Sequence, residues 1–304
     1  MASSDFTTVF FDDFNGGSVD RSLWRSLYSG EYGNGAFAWT PGQIDVGGGL
    51  LEIGIERFGD QWLAGGLSTI PDGQTYGSYE FRARIDEGQG TAGVILLWPS
   101  NNTWSDEVDI VETHRGDRDG FAFTNHGNPW ETQYIDADVS EWHTYRLEWT
   151  PGQLLLSIDG REVSRMTNDV PDQPMSFGMQ GHVLADWERW YGGGPDASTP
   201  DRVEMQIDWV HVSAWTPGNG DGGGNGGGAS SVSAWQAPAW EASTSTNSDG
   251  PAEGWNWIDA AQAYIAGDGT WEGSWRNQVA TGQISVEEVA LRLEAGMGSW
   301  EPWA

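Results

Sequence analysis

The chain has 304 residues, no cysteine, and a formal net charge of −31 from 14 basic and 45 acidic side chains. The absence of cysteine excludes a disulfide-stapled scaffold, and the deficit of basic residues argues against nucleic-acid or anionic-membrane partners. Because 38% of the residues are hydrophobic and 20 are tryptophan, the chain can still bury a substantial core.

Short segments rich in β-branched and aromatic residues recur along residues 1–215, separated by clusters of Gly, Pro, Asn and Asp. This alternation is typical of strands joined by turns. The predicted strands cover residues 9–11, 50–55, 79–85, 94–98, 107–111, 144–149, 154–158 and 203–212. Because no segment in this region keeps a helical period, an all-β antiparallel sandwich or barrel is favoured over a parallel α/β sheet.

The strand-rich region ends at residues 216–228 (TPGNGDGGGNGGG), which contain eight glycines and predict a flexible linker. We therefore place one domain at 1–215, the linker at 216–233 and an accessory module at 234–304. The module contains an S-x-x-E capping pattern at 285–288 and is predicted to be small and helical. Its tryptophans either build its own core, which we favour, or bind polysaccharide.

The longest apolar run, residues 93–98, is far shorter than the roughly 18 residues of a membrane-spanning helix, so we expect no transmembrane helix. Residues 1–5 lack the features of a secretory signal. Acidity without cysteine is typical of a secreted or salt-exposed enzyme, although a cytosolic acidic protein has the same composition. We expect a secreted monomer, exported by another route or with its signal missing from this sequence.

Three carboxylates fall close together in residues 104–112 (WSDEVDIVE). On a strand, Glu107 and Asp109 point to the same face, whereas a regular pleat turns Glu112 to the apolar face. Burying an unpaired carboxylate costs several kcal/mol, so we predict a β-bulge that returns Glu112 to the carboxylate face. Mutual repulsion then separates the pKa values, which is the arrangement that acid/base chemistry needs.

Paired carboxylates of this kind carry out glycoside hydrolysis, one as nucleophile and one as proton donor. The same residues are also consistent with an acidic strand facing solvent or with a calcium site. Without further context, those two readings of a short motif are the commoner ones.

The context is specific, because the bulged E-x-D-x-x-E strand and its surroundings resemble glycoside hydrolase family 16, the laminarinase and lichenase group. The resemblance spans about residues 9–215. Its other motifs are residues 11–16 (FDDFNG) with Trp24, 76–82 (YGSYEFR), 142–151 (WHTYRLEWTP) and 207–212 (IDWVHV). The resemblance implies a curved antiparallel β-jelly-roll sandwich with an open concave cleft.

The resemblance also implies the roles of the three carboxylates and the chemistry that they perform. Glu107 matches the nucleophile, Glu112 the general acid/base, and Asp109 the carboxylate between them. The implied reaction is internal hydrolysis of a β-1,3 or mixed β-1,3/1,4 glucan with retention, and it needs no catalytic cofactor.

Further positions match binding residues of the family. Trp104 matches a tryptophan that stacks on the sugar, and it is otherwise an ordinary core residue. Asn34 matches a cleft-edge asparagine, and His126 resembles a histidine near the acid/base. Asp208 resembles the ligand of a structural calcium ion, with backbone carbonyls of residues 47–49 as companions.

Glu80 and Arg82 resemble sugar-contacting positions, although a cross-strand ion pair has the same pattern. Trp187 and Trp190, in the aromatic segment 186–191, are expected to form a subsite wall. His143 is expected to order the structure rather than to react.

The sequence also departs from the family pattern, because residues 90–99 differ from the usual laminarinase segment and Asp106 replaces the usual glycine before the nucleophile. These departures leave the identity of the polymer undecided. The alternatives are a galactan, a sulfated algal glycan or a bacterial exopolysaccharide, and a non-catalytic glycan-binding sandwich. The net charge disfavours strongly anionic polymers, and the carboxylate pair disfavours the non-catalytic reading.

Overall fold

The structure, a computed structural model, describes residues 5–33, 35–104, 106–113, 115–186, 188 and 192–217. These residues form strands and one short 3-10 helix, Pro41–Gln43. The strands are β1 (Phe6–Asp12), β2 (Ser26–Leu27), β3 (Gly30–Glu31), β4 (Phe37–Trp39), β5 (Ile44–Gly47), β6 (Leu50–Phe58), β7 (Gln61–Ala64), β8 (Gly66–Ser68), β9 (Gly77–Ile85), β10 (Thr91–Pro99), β11 (Val108–Glu112), β12 (Gly120–Asn125), β13 (Glu131–Asp136), β14 (His143–Thr150), β15 (Gln153–Ile158), β16 (Arg161–Met166), β17 (Met175–Val183) and β18 (Arg202–Trp215).

The strands form two sheets. The 11-stranded sheet has the order β16-β15-β14-β9-β18-β6-β7-β4-β3, with β1 added beside β18 and β5 beside β6. The 7-stranded sheet has the order β13-β12-β11-β10-β17-β8-β2. Among the described strands only β4 and β7 pair in parallel, so the predicted antiparallel jelly-roll sandwich is confirmed.

The core lies between the two sheets, and strands such as β9 and β15 show this by alternating in burial. On β9, Tyr79 and Phe81 are buried, whereas Glu80 and Arg82 between and beyond them point away from the core. The 7-stranded sheet contributes residues such as Val108 to the same core. We call the opposite face of this sheet, turned away from the core, the carboxylate face.

All eight predicted strand segments lie in observed strands, although β11 begins at Val108 rather than at residue 107. Strand β17 was not predicted, because its glycines interrupt the strand composition. Those glycines serve close packing instead: a Cβ at Gly181 would lie 2.6 Å from Cγ1 of Ile55, and one at Gly178 would lie 3.0 Å from the Tyr28 hydroxyl.

Apart from residues 216 and 217, the predicted linker and the accessory module at 234–304 lie outside the described residues and stay predictions. No helix in the described part of the chain has the length and apolar character that a membrane crossing requires.

Candidate active site

A β-bulge in β11 sets the direction of the three carboxylates. Along β10, Leu96 pairs with Asp109, while the next residue, Ile95, pairs with Val111, so Ile110 is the extra residue. Ile110 and Val111 are consecutive and both lie in the core. The alternation therefore restarts after the bulge, and the predicted return of Glu112 to the carboxylate face is confirmed.

Two side chains hold the carboxylates of Glu107 and Asp109. The indole Nε1 of Trp104 donates a hydrogen bond to Oε2 of Glu107 at 3.1 Å. Nε2 of His126 lies 2.7 Å from Oδ2 of Asp109 and 3.9 Å from Oε2 of Glu107. The backbone of β12 places this histidine, since the His126 amide donates to the carbonyl of Glu107.

The environment makes the charged forms of Glu107 and Glu112 costly. Burial raises the pKa of Glu107 to about 8, and the charge of Asp109 acts in the same direction. Burial also raises the pKa of Glu112 well above its usual range, with further contributions from Asp109, Glu107 and Glu188. The group therefore carries fewer charges near neutral pH than three isolated carboxylates.

The proton has a preferred position within this group. The charge of His126 and the hydrogen bond from Trp104 both favour the ionised form of Glu107. Each influence on the pKa of Glu112 favours its protonated form. Glu107 therefore has neighbours that help it to ionise and Glu112 has none, which suits Glu107 to be the nucleophile and Glu112 to be the proton donor of a retaining glycosidase.

His126 is suited to support that charge distribution. Burial opposes its protonation, but the hydrogen bond to Asp109 and the charges of Asp109 and Glu107 outweigh burial and raise the pKa of His126 above its ordinary value. The structure thus brings together Glu107, Asp109, Glu112, Trp104 and His126, as the sequence predicted.

The structure places Glu80 and Arg82 away from the carboxylates. The expectation that these two residues contact sugar beside the carboxylates is therefore wrong. Both lie on β9 of the other sheet, on the face turned away from the core. Arg82 stacks over Trp142, with its guanidinium carbon 4.7 Å from the ring centroid. The whole thickness of the sandwich separates these side chains from Glu107.

Asp208 forms an ion pair on the same face as Arg82. Nη1 of Arg82 lies 2.6 Å from Oδ2 of Asp208, so a guanidinium already neutralises the carboxylate that was expected to bind calcium. Among the described residues, the one cluster of three or more His, Cys, Asp or Glu ligands is Glu107, Asp109 and His126. A calcium ion at Asp208 stays a prediction, and a histidine nitrogen in the other cluster suits zinc better than calcium.

Three predicted binding residues, Asn34, Trp187 and Trp190, lie outside the described residues, so their roles stay predictions. His143 orders structure as expected. Its Nδ1 lies 2.7 Å from Oδ2 of Asp159, and its Nε2 lies 3.1 Å from the carbonyl oxygen of Asp138.

Sequence reasoning missed three residues of the site. Trp130 stacks on His126, with the ring centroids 4.4 Å apart. Tyr32 lies near the carboxylates. Burial raises the pKa of Tyr32 to about 12, and nearby negative charges act in the same direction, those of Glu188, Glu107, Glu112 and Asp109. Glu188 lies within the segment 186–191 that was expected to form a subsite wall, although its charge was not singled out, and no local pattern singled out Trp130 or Tyr32.

Comparisons with known proteins agree with this geometry. The model of glycosyl hydrolases family 16 matches residues 32–211. An endo-1,3-1,4-β-glycanase of Rhizobium meliloti, EglC, is 26% identical over 68% of this chain and 50% of its own length. A β-glucanase of Rhodothermus marinus is 27% identical over 68% of this chain and 85% of its own.

Solved structures give the same result. The laminarinase of Rhodothermus marinus is 25% identical, with a TM-score of 0.60 over 69% of this chain and 98% of that one. The chain spans about half the length of the Rhizobium relative. Since the family model matches more than half of the sequence and the carboxylates occupy one face of the bulged strand, the chain belongs to glycosyl hydrolases family 16.

Proposed function

We propose that the protein is a retaining endo-β-glycosidase that hydrolyses internal β-1,3 or mixed β-1,3/1,4 linkages of a glucan. The observation that carries the proposal is the placement of Glu107, immediately before β11, and Glu112, at its end, close to Asp109, with burial and the neighbouring carboxylates favouring the protonated form of Glu112. The names of the relatives from Rhizobium meliloti and Rhodothermus marinus support a β-glucan as the polymer.

The reaction proceeds by double displacement. An oxygen of Glu107 attacks the anomeric carbon, and Glu112 donates its proton to the glycosidic oxygen as the bond to the leaving sugar breaks. Glu112, now ionised, takes a proton from water. The hydroxide oxygen then displaces Glu107 from the anomeric carbon, which regenerates both carboxyl groups and retains the β configuration.

Asp109 and His126 set the conditions for both steps. The charge of Asp109 raises the pKa of Glu112 and so helps to keep the proton donor protonated before the first step. Once Glu107 has reacted, one negative charge has left the group, which lowers the pKa of Glu112 and suits it to act as a base. His126 holds Asp109 through the 2.7 Å contact.

Product analysis tests the proposal. The full chain and its Glu107→Gln and Glu112→Gln variants are incubated with laminarin, lichenan, agarose, carrageenan and β-1,4-galactan. We expect oligosaccharides from laminarin or lichenan, lost in Glu107→Gln and kept by the control Glu141→Gln, whose carboxylate is exposed. Cleavage of another polymer alone would overturn the glucan assignment. If the folded protein releases no product from any of the five polymers, the proposal of hydrolysis is wrong and a glycan-binding protein is favoured.

We further propose that the protein works outside the cell and as a monomer. A glucan polymer does not cross a membrane, so an endo-acting enzyme has to meet it outside. Cell fractionation should recover the activity in the medium, and analytical ultracentrifugation should give a single species of 33.2 kDa. Recovery in the cytosol, or a dimer at micromolar concentration, would contradict the respective statement.

A further inference from the structure

Two aromatic side chains beside the carboxylates are unusually open to solvent. Trp130 is 64% exposed and Tyr134 is 65% exposed. A single exposed aromatic residue on a protein surface needs no explanation. These two, however, belong to one edge strand and its entry, and the register of the sheet relates both of them to the catalytic residues.

The register places Tyr134 on the same face as the proton donor. Glu112 on β11 is paired with Ala122 on β12, and Ala122 is paired with Tyr134 on β13. Directly paired residues of neighbouring strands point to the same face of a sheet. Tyr134 therefore lies on the carboxylate face, two strand spacings or about 10 Å from β11.

Trp130 lies on the same face at the other end of β13. Its ring packs on His126, with the centroids 4.4 Å apart, and His126 in turn contacts Asp109. Trp130 immediately precedes β13, and its contact with His126 places its ring at the carboxylate face, where the register also places Tyr134. They lie about 13 Å apart along the strand at about 3.3 Å per residue.

The aromatic residues on the opposite side of the carboxylates are arranged differently. Tyr28 and Trp39 pack edge to face with their centroids 5.4 Å apart, and Tyr32 stacks on Phe37 at 5.0 Å. Tyr28, Phe37 and Trp39 are buried. Their rings stabilise each other, whereas the rings of Trp130 and Tyr134 are mostly in contact with solvent.

We propose that Trp130 and Tyr134 form a glucan-binding platform at the β13 edge, on which pyranose rings remote from the cleaved bond stack. The C–H face of a pyranose covers an aromatic ring and removes apolar surface from water. A glucan carries no charge, so the acidity of the molecule does not oppose this contact. The inference rests on the proposed function, which supplies the polymer.

Calorimetric titration of the full-length Glu107→Gln protein tests the platform without turnover. The probes are the β-1,3-linked series from laminaribiose to laminarihexaose. We expect affinity to rise with chain length, and Trp130→Ala or Tyr134→Ala to reduce the affinity for laminarihexaose about tenfold, with a smaller loss for laminaribiose. Trp130→Phe should recover part of the loss, because phenylalanine keeps a stacking ring.

The matched control is Phe58→Ala. Phe58 is 51% exposed, but it ends β6 of the 11-stranded sheet, so its removal should leave the affinity for the whole series unchanged. Thermal unfolding of each variant checks the fold. If Trp130→Ala and Tyr134→Ala bind laminarihexaose as Phe58→Ala does, the platform is wrong. If the parent chain cleaves neither glucan and Glu107→Gln binds no laminari-oligosaccharide, the proposed function fails, and the platform fails with it.

Discussion

At the scale of single residues, one hydrogen bond favours the ionised form of Glu107 against the effect of burial. The indole N–H of Trp104 donates to Oε2 of Glu107, although the Trp104 side chain is 50% exposed. The same tryptophan can offer its ring to a sugar while its N–H stabilises the nucleophile. The sequence predicts the ring contact from the family resemblance, but the hydrogen bond depends on a side-chain rotamer that no sequence pattern specifies.

Trp104→Phe separates these two contributions. The variant keeps an aromatic ring and removes the donor, so the pKa of Glu107 should rise and the acidic limb of the kcat/KM profile should move to higher pH. A hydrogen bond to a charged group contributes roughly 1.5–3 kcal/mol, and a half-exposed one lies at the lower end, so kcat/KM should fall about tenfold. Trp142→Phe, on the other sheet, is the control. An unshifted acidic limb would show that the N–H does not act on Glu107.

The raised pKa of Glu112 also predicts that this residue destabilises the fold. The unfolded chain has an ordinary glutamate, near 4.3, and loses its proton first as the pH rises. Between that value and the higher folded pKa the unfolded state is increasingly favoured. Glu112→Gln should therefore raise Tm, and the gain should grow from pH 4 towards neutral pH.

Calorimetry at several pH values measures this gain. Glu141→Gln, at an exposed position, is the control and should change Tm little. A Tm of Glu112→Gln that is equal to or below that of the parent chain at neutral pH would contradict the burial of a strained carboxyl group.

At the scale of the strand, the bulge in β11 connects packing with catalysis. Ile110 is fully buried and is the extra residue that returns Glu112 to the carboxylate face. Ile110→Ala should cost about 2–5 kcal/mol of stability through the cavity that it leaves, while activity at low temperature persists. Deletion of Ile110 should instead restore a regular pleat in which Val111 takes the core position next to Asp109 and Glu112 still points to the carboxylate face, so the deletion variant should keep activity of the same order as Ile110→Ala.

Comparison of the two variants separates the effect of the bulge itself from the loss of packing, because Glu112 keeps its direction in both. Denaturant unfolding gives the stability of each, and initial rates on laminarin give kcat. If the deletion variant folds but loses the activity that Ile110→Ala keeps, the alternation of the strand does not determine the direction of the proton donor.

The strands also show which parts of the fold a sequence predicts. Strands such as β9 and β18 combine β-branched and aromatic residues with a clear alternation, so their positions are predictable. The bulge was predictable too, because a buried, unpaired Glu112 would be costly. Strand β17 was missed because Gly178 and Gly181 weaken the strand signal, and their reason lies in contacts with distant residues.

The same limit explains the errors in the site. Arg82 and Asp208 alternate with core residues on their strands, so the sequence shows that both point outward, but not which sheet carries them or that they pair with each other. Assignment to a sheet depends on the strand order, which is a property of tertiary structure. Local patterns therefore predicted the carboxylates well and the residues around them less well.

At the scale of the whole molecule, the net charge of −31 predicts a strong response to salt. Like charges repel in the folded chain, and the Debye length falls from about 30 Å at 0.01 M salt to about 10 Å at 0.1 M. Added sodium chloride should therefore raise Tm by a few degrees at neutral pH. The effect should shrink near the isoelectric point of about 4.1, and a fall of Tm with salt at neutral pH would contradict it.

The assignment of Glu107 as nucleophile and Glu112 as acid/base is tested most directly by the stereochemistry of rescue with azide. Each residue is changed to alanine, and a dinitrophenyl β-laminaribioside is supplied with sodium azide. Azide should replace the missing nucleophile in Glu107→Ala and give the α-glycosyl azide. In Glu112→Ala it should attack the glycosyl-enzyme and give the β-glycosyl azide. A β-azide from Glu107→Ala, or an α-azide from Glu112→Ala, would contradict the assignment.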